Sequence, residues 1–229
     1  MNKPQLFLLH FAGGNRYSFQ FMMPYLKAFN VIPLELPGRG KRMNEALIKD
    51  YRNAVKDYFL QITNLRNSAD YVIYGHSMGA TLGLLVTKLL EEEGRPPRSL
   101  IVSGTAGPGC ELDVLNRYKM NRADLIEELK KLGGSDDEFY RHEELLDFYE
   151  PIIRADFEVL EKEKIDLEGL LSVPIHAVMG SKEKEVERIA NWKRFTRGAS
   201  KLAVLEGGHF FIQEKPGQMA EIIHSATYL

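Results

Sequence analysis

Five consecutive residues, Gly75-His76-Ser77-Met78-Gly79, have the types and the spacing that present a serine for nucleophilic attack. They follow an apolar run of β-branched and aromatic residues, Tyr71–Tyr74, and precede an amphipathic stretch at about 80–93. A G-x-S-x-G sequence between a strand and a helix is typical of a nucleophile elbow, a turn too tight for side chains on either flank. An ordinary serine in a glycine-rich loop is the alternative, but the strand and helix favour a catalytic Ser77 near a helix N-terminus.

A serine hydroxyl is a weak nucleophile unless a base removes its proton, and His209 is the best candidate for that base. It follows the last predicted strand, within Glu206-Gly207-Gly208-His209-Phe210-Phe211. Two glycines allow a histidine loop to reach across the strand ends, and two aromatic residues anchor it. The other histidines are less suited by position: His10 beside the first strand, His76 inside the turn, His142 in a helical segment, His176 within a strand and His224 in the last helix.

The acid that orients this histidine is expected after the penultimate strand, because the order along the chain in α/β-hydrolases is serine, acid, histidine. The sequence there is Gly180-Ser181-Lys182-Glu183-Lys184-Glu185. We predict Glu183 as the acid, which would orient the imidazole and stabilise its protonated form. Glu185 is the second choice and Glu187 the third. The alternative is that the mixed charges of 182–188 are simply the solvated start of a helix.

Two main-chain N–H groups are expected to stabilise the oxyanion that forms during acyl transfer. One is the N–H of Met78, directly after the nucleophile. The other should come from the loop after the first strand, Phe11-Ala12-Gly13-Gly14, where we predict the N–H of Ala12. Small residues in that loop permit a close approach of the substrate.

The composition is that of one globular α/β domain. The chain has 229 residues, of which 44% are hydrophobic and 27% charged. A net charge of −2 and a pI of about 6.3 argue against nucleic acid binding. The single cysteine, Cys110, excludes an intramolecular disulfide, and no motif supports it as a nucleophile. The N-terminal apolar run is too short to span a membrane and lacks a signal cleavage site, so we expect a cytoplasmic protein without membrane contact.

Short apolar runs alternate with helical stretches, which predicts a mostly parallel sheet with crossover helices. The predicted strands are Gln5–Leu9, Asn30–Leu34, Tyr71–Tyr74, Ser99–Ser103, Pro174–Met179 and Lys201–Leu205. The predicted helices between them are Ser18–Phe29, Asn44–Thr63, Met78–Glu93, Lys184–Thr196 and Pro216–Tyr228.

The segment from Asp113 to Asp166 interrupts this alternation, because it is charged, helical and without a strand signal. Gly133-Gly134 separates two predicted helices, Arg122–Leu132 and Glu138–Lys164. The segment is too long for an ordinary connection, so we expect residues 113–166 to be a helical insertion within a single domain of residues 1–229. Above the C-terminal ends of the strands it would form a lid over the active site. A peripheral helical pair without a gating role is the alternative.

Several short segments together form a pattern more specific than the serine turn alone. In chain order they are Ala12-Gly13-Gly14, Leu36-Pro37-Gly38-Arg39-Gly40-Lys41-Arg42, Gly75 to Ala80, Arg154-Ala155-Asp156, Trp192 and Gly207 to Phe211. With these segments the chain resembles, over nearly its whole length, the type II editing thioesterases of non-ribosomal peptide and polyketide synthesis. The family usually has an aspartate in the loop after the penultimate strand, and here Glu183 takes that position.

The resemblance implies an α/β-hydrolase fold and the hydrolysis of acyl thioesters on the phosphopantetheine arm of acyl or peptidyl carrier proteins, which removes stalled acyl groups. It implies a two-step mechanism with Ser77, His209 and Glu183, and with Ala12 and Met78 as oxyanion donors. No metal or bound cofactor is expected, because the phosphopantetheine arrives on the partner. We expect a monomer.

Two alternatives to this function remain on the sequence alone. A general esterase or acyl-CoA thioesterase would use the same residues, since a fold does not determine a substrate. An inactive hydrolase fold that serves as a binding module is the other, and the intact Ser77 and His209 argue against it. Arg39, Arg42 and Arg154 fit either contacts with an acidic carrier protein or structural ion pairs, and the structural interpretation is slightly favoured.

Overall fold

A parallel sheet of six strands lies at the centre of the computed structural model, which describes residues 3–110, 115–135, 138–165 and 169–227. The strands are β1 (Gln5–Leu9), β2 (Asn30–Pro33), β3 (Tyr71–His76), β4 (Leu100–Ser103), β5 (Ile175–Gly180) and β6 (Ser200–Leu205). Their order is β2-β1-β3-β4-β5-β6, and every neighbouring pair is parallel. The predicted α/β class is confirmed, and all six predicted strands are present with ends within two residues of the prediction.

Helices cover both faces of the sheet. Helices α1 (Tyr51–Leu65) and α2 (Met78–Glu92) pack on one face, and α5 (Phe211–Glu214) and α6 (Pro216–Thr227) pack on the other. Helices α3 (Arg122–Leu132) and α4 (Glu143–Glu161) belong to the segment between β4 and β5. In β1, Phe7 and Leu9 point into the core beneath α1 and α2, whereas Leu6 and Leu8 point into the core on the α6 side. Because both faces are covered, β1, β3, β4 and β5 are buried along their whole length, as in other doubly covered parallel sheets.

Two predicted helices on the N-terminal side are wrong in extent. The predicted helix Ser18–Phe29 is only a 3-10 helix at Gln20–Tyr25, which contains Pro24, a residue that cannot donate the hydrogen bond needed for a longer α-helix. The predicted helix Asn44–Thr63 begins instead at Tyr51. Its start is set by Asp50, whose side chain accepts a hydrogen bond from the Asn53 N–H and caps the helix.

The predicted α-helix Lys184–Thr196 is also wrong in type, since Val186–Phe195 forms a 3-10 helix. Side chains of this segment hydrogen-bond the loop after β4: Trp192 Nε1 donates to the Thr105 carbonyl at 2.8 Å and Asn191 Nδ2 to the Ala106 carbonyl at 3.0 Å. These tertiary hydrogen bonds, rather than the helical periodicity of the sequence, therefore determine the conformation of the segment. The final helix matches its prediction up to Thr227, and Tyr228 lies outside the described residues.

The segment predicted as a helical insertion lies between β4 and β5, is described at residues 115–135 and 138–165, and is called the helical insertion below. Its predicted end residues, Asp113 and Asp166, lie outside the described part of the chain. Helix α3 has the predicted bounds. The predicted helix Glu138–Lys164 is divided into a 3-10 turn at Phe139–Arg141 and helix α4. Arg122 forms ion pairs with Asp147 and Glu150, which tie α3 to α4 at their exposed surface.

Candidate active site

Ser77 occupies a strained turn between β3 and α2. Its φ of +55° and ψ of −116° lie in a region that non-glycine residues rarely adopt. The turn is packed so closely that a Cβ on Gly75 would lie 2.0 Å from the Gly79 carbonyl oxygen, and a Cβ on Gly79 would lie 2.1 Å from the Leu9 carbonyl oxygen. The two glycines thus let the turn fold back on itself and against β1. Ser77 is left half-buried at the C-terminal edge of the sheet.

Met78 is the first residue of α2, so its N–H has no acceptor within the helix. Helix N-termini carry partial positive charge, and an N–H at this position favours an anion. The Ser77 N–H, by contrast, is used structurally, since it donates to the Ser103 carbonyl at 2.7 Å and attaches the turn to the end of β4.

His209 and Glu183 meet in the loops that follow β6 and β5. His209 Nδ1 lies 2.8 Å from Glu183 Oε2, and the Gly180 N–H donates to Glu183 Oε1 at 2.7 Å. Both carboxylate oxygens are therefore occupied, and the carboxylate is fixed in direction. The side chains are mostly buried, with 8% of Glu183 and 15% of His209 exposed.

Backbone contacts join the acid loop to the histidine loop. The Ser181 N–H donates to the Leu205 carbonyl at 2.8 Å, and the Lys182 N–H donates to the Gly207 carbonyl at 2.9 Å. A Cβ on Gly180 would lie 2.3 Å from the Gly208 carbonyl oxygen, so only glycine permits this approach. The two loops therefore form one unit at the edge of the sheet.

The structure thus brings together two of the three side chains predicted for catalysis and places the third nearby. The His209 ring lies with its centroid 5.0 Å from that of His76, the residue before Ser77. No hydrogen bond joins the Ser77 hydroxyl to His209 in the described residues, and such bonds are often long or poorly aligned without substrate. Glu185, the second-choice acid, caps the following 3-10 helix through its backbone carbonyl, which accepts from the Arg188 N–H.

His76 lies completely buried beneath this cluster. Burial is the main cause that holds its pKa well below the usual value, and the neighbouring His209 lowers it further. Its Nδ1 is 2.8 Å from the Ser103 hydroxyl, and its Nε2 is buried without a hydrogen-bond partner among the described residues. His76 is therefore a neutral packing residue beneath the catalytic candidates, as its position within the turn suggests.

The loop after β1 holds Ala12 between fixed peptide groups. The Phe11 carbonyl accepts a hydrogen bond from the Gly14 N–H at 2.9 Å and is 2.8 Å from His10 Nδ1. Burial and the nearby Arg39 lower the pKa of His10 to about 4, so the ring is neutral. His10 Nε2 accepts from the Leu36 N–H at 3.4 Å, which leaves the ring proton on Nδ1 as the donor to Phe11.

Asp156 is the residue of this site that the sequence analysis did not assign. It belongs to α4 but is 0% exposed, and it forms a bidentate ion pair with Arg39, which is 2% exposed. The Gly13 N–H also donates to Asp156 Oδ2 at 2.8 Å. A signal was present in the sequence, because Asp156 falls on the apolar face of a helix between Ile153 and Val159, where a charge requires a buried partner.

All three arginines that the sequence left open have structural contacts. Arg39 is buried with Asp156, and Arg42 makes paired hydrogen bonds to both Glu45 and Asp57. Arg154 donates to the Tyr118 carbonyl at 3.2 Å and the Met120 carbonyl at 2.7 Å, and so secures the helical insertion.

The helical insertion packs directly on the candidate site. A Cβ on Gly134, in the loop after α3, would lie 2.4 Å from the Phe210 ring, and Phe210 follows His209. A Cβ on Gly13 would lie 2.8 Å from Ile153 Cγ1 of α4. Ala12 packs against the apolar cluster of the insertion, which is centred on buried residues of α3 and α4. The insertion therefore touches both the histidine loop and the candidate oxyanion loop.

Among the described residues there is neither a candidate metal site nor a candidate membrane-spanning helix. Within residues 3–110, 115–135, 138–165 and 169–227, no three histidine, cysteine or acidic side chains are grouped so that they could hold a metal ion. Over the same residues, no helix has both the length and the hydropathy that a membrane span requires.

Comparison with known proteins identifies the relatives of this fold. A family model described as "Thioesterase domain" matches residues 4–227. The chain is similar to "Thioesterase PikA5" of Streptomyces venezuelae, with 26% identity over 211 residues that cover 91% of this chain and 75% of that protein. It is also similar to "Probable anguibactin biosynthesis thioesterase AngT" of Vibrio anguillarum, with 29% identity that covers 96% of this chain and 90% of that protein.

Solved structures with the same architecture include a thioesterase from the prodiginine biosynthetic pathway of Streptomyces coelicolor, RedJ. Its TM-score is 0.87 at 28% identity, and the match covers 100% of this chain and 91% of that chain. The type II thioesterase BorB from the borrelidin biosynthetic cluster has a TM-score of 0.83 at 25% identity, covering 98% of this chain and 91% of that chain. These neighbours identify the α/β-hydrolase fold.

Proposed function

Because this chain belongs to the thioesterase domain family, we propose that it hydrolyses acyl thioesters on the phosphopantetheine arm of acyl or peptidyl carrier proteins. It is a thioester hydrolase of the type II class associated with non-ribosomal peptide and polyketide pathways, as its relatives named for anguibactin biosynthesis, the borrelidin cluster and the prodiginine pathway indicate. The proposal adds the substrate's carrier and the residues that perform the reaction.

The observation that carries the mechanism is the His209–Glu183 contact at 2.8 Å, next to a serine held in a strained strand-to-helix turn. Glu183 fixes the ring so that Nδ1 carries a proton and Nε2 is free to accept one. In the first step, Ser77 Oγ attacks the thioester carbonyl carbon while His209 Nε2 takes the hydroxyl proton. The resulting oxyanion accepts hydrogen bonds from the N–H groups of Ala12 and Met78.

Collapse of this intermediate breaks the carbon–sulfur bond, and the protonated His209 returns the proton to the departing pantetheine thiol. The acyl group is then an ester of Ser77. In the second step His209 removes a proton from water, which attacks the ester carbonyl, and Ser77 leaves with that proton. The products are a free carboxylic acid and the carrier protein with its free thiol. The phosphopantetheine belongs to the partner, so this mechanism requires no cofactor bound to the enzyme.

We also propose that the helical insertion acts as a lid within a single domain of residues 1–229. Two contacts support this role: Gly134 packs on Phe210 beside His209, and Ile153 packs on Gly13 beside Ala12. An insertion in these positions limits water near the acyl-enzyme and shapes the space for the acyl chain.

The experiment that tests the proposal is the hydrolysis rate of one acetyl group carried either on a holo carrier protein or on coenzyme A, with Ser77→Ala as the blank. Preference for the carrier protein, lost in Ser77→Ala, would support the proposal. Equal rates on both substrates would favour a general acyl thioesterase with the same residues. Failure of wild type to hydrolyse either substrate, together with no covalent labelling by a serine-directed fluorophosphonate, would favour an inactive binding module.

A further inference from the structure

The buried pair Arg39–Asp156 lies where the lid helix α4 meets the loop that carries Ala12. The Asp156 carboxylate accepts from Arg39 Nη1 at 2.6 Å, from Arg39 Nη2 at 2.8 Å and from the Gly13 N–H at 2.8 Å. Arg39 Nη1 also lies 3.3 Å from the Gly14 carbonyl oxygen, to which it donates. The pair therefore holds the N–H of Gly13 and the C=O of Gly14, which belong to the first and the third peptide after Ala12.

The contacts of Asp156 and Arg39 after Ala12, together with the contacts of the Phe11 carbonyl before it, determine the orientation of the Ala12 N–H. A trans peptide is planar, so the N–H of Ala12 points opposite to the Phe11 carbonyl, which His10 and Gly14 hold. The next peptide is fixed at its N–H end by Asp156. Between these two restraints Ala12 has little freedom, although Gly13 has a φ of +75° and glycine is the most flexible residue.

Stability alone does not account for this pair. Burying two charges costs a desolvation penalty that often exceeds their attraction, so a buried ion pair is weak evidence for stability. Burial alone would lower the pKa of Arg39, but the charge and hydrogen bonds of Asp156 raise it, so the guanidinium stays protonated. The pair is nevertheless bidentate, which fixes direction as well as distance. A pair of this kind suits a site that needs one exact orientation of the loop.

We propose that Asp156, held by Arg39, is a positioning residue for the oxyanion hole and thereby couples the lid helix α4 to the donor at Ala12. The inference rests on the proposed function. Asp156 is not itself a reacting group, because its contacts are with Gly13 and Arg39. It affects the substrate only through the direction of the Ala12 N–H. Displacement of α4 would then release the loop and weaken the hole.

The test compares Asp156→Asn with Glu161→Gln, a matched control on the same helix. Glu161 accepts from the Arg117 backbone N–H at 2.6 Å and from Arg117 Nε at 2.5 Å, and it is 9% exposed. Both substitutions weaken a largely buried carboxylate–arginine contact of α4, but only Asp156 touches the oxyanion loop. For each variant kcat and KM are measured on an acyl carrier thioester, with urea unfolding as the measure of stability.

We expect Asp156→Asn to lower kcat about 10- to 100-fold, somewhat less than the ~10²–10³-fold lost when one oxyanion donor is removed outright, with KM within about 2-fold. Glu161→Gln should leave kcat within about 2-fold. The inhibition constant of butaneboronic acid, which forms a tetrahedral adduct with the serine, should rise in Asp156→Asn by about the same factor as kcat falls. A structural role alone would not produce this correspondence.

If Asp156→Asn does not fold, the double variant Arg39→Met/Asp156→Leu replaces the pair with apolar side chains of similar size, which is often neutral or stabilising. It should fold and still show the loss of kcat and of boronate affinity. Equal effects of the two α4 variants on kcat, or an unchanged boronate inhibition constant, would overturn the inference. Absence of Ser77-dependent turnover in wild type would instead overturn the proposed function, and the inference with it.

Discussion

The substitution Glu183→Gln should abolish most of the activity while it leaves the fold unchanged. The side chain has two fixed partners, and both are donors: the Gly180 N–H to Oε1 and the His209 Nδ1–H to Oε2. A carboxylate accepts from both, but an amide has only one acceptor oxygen. The oxygen of glutamine will face Gly180, because that backbone N–H cannot change its role. The amide NH₂ group then faces His209.

The consequence is a change of tautomer in His209. An NH₂ group next to Nδ1 requires Nδ1 to accept, which moves the ring proton to Nε2. A ring with its proton on Nε2 cannot take the proton of Ser77. In a serine protease with a Ser-His-Asp triad, the corresponding change of the acid to its amide lowers kcat by about 10⁴-fold. We expect a loss of ~10³–10⁴-fold here, which corresponds to about 4–5.5 kcal/mol of transition-state stabilisation at ~1.36 kcal/mol per tenfold.

The assay is steady-state hydrolysis of an acyl carrier thioester, with Glu185→Gln as the matched control two residues away. Glu185 accepts a hydrogen bond through its backbone carbonyl, which the substitution leaves intact, so kcat should change by less than about 3-fold. KM should stay the same in both variants, because the acid acts on proton transfer. If Glu183→Gln retains more than about a tenth of wild-type kcat, or if Glu185→Gln loses more, the assignment of the acid is refuted.

Three further predictions follow from the elbow and from the loop after β1. Ser77→Ala should reduce thioester hydrolysis to the rate of the blank, with an unchanged near-ultraviolet circular dichroism spectrum; turnover near the wild-type rate would contradict a serine nucleophile. Gly79→Ala should cost about 3 kcal/mol or more in urea unfolding, because its Cβ would lie 2.1 Å from the Leu9 carbonyl oxygen. In the control Gly83→Ala the nearest atom is a side-chain carbon 3.4 Å away, so a similar loss there would show that helix α2, not the elbow, is sensitive. The free energy of unfolding should fall as the pH drops from about 6.5 to about 4, because the folded-state pKa of His10 is lowered to about 4 and the unfolded chain therefore binds more protons in this window. His10→Asn should remove about 3 kcal/mol of that loss at ~1.36 kcal/mol per pKa unit, and an unchanged pH profile would contradict a buried neutral ring.

The parts of the fold that local sequence determines were predicted well. All six strands and the start of α2 follow from short apolar runs and from the serine turn, because burial on both faces demands continuous apolar residues. The segments 18–29 and 184–196 have helical periodicity and still form 3-10 helices. One contains a proline, and the other is held by side-chain hydrogen bonds to a loop about 85 residues earlier. Contacts of the second kind cannot be predicted from a local pattern.

The candidate site likewise contains one residue that its local position predicted, Glu183, and one that depends on a distant contact, Asp156. Glu183 was predicted as the acid from its position after β5, and it is the carboxylate that reaches His209 in the structure. Its assignment to catalysis stays a prediction until the variant is measured. Asp156 was recognised only as part of a motif, because its partner Arg39 is 117 residues away and the two meet only in the folded chain. The charge of Asp156 on the apolar face of α4 indicates a buried cationic partner, but it does not identify which arginine forms the ion pair.

A loop that stabilises an oxyanion has to combine close approach with rigidity, and these two requirements conflict. Small residues such as Ala12 and Gly13 allow a substrate carbonyl to come near, but glycine gains no rigidity from its own backbone. Electrostatic stabilisation is effective only when the donors are already oriented, since reorientation during the reaction would consume the gain. The rigidity must therefore come from neighbours. In this chain it comes from two buried side chains that border the loop, neutral His10 on the sheet side and Asp156 on the lid side. Asp156 belongs to the helical insertion, so we expect the proposed oxyanion donor at Ala12 to be fully oriented only while helix α4 is in place.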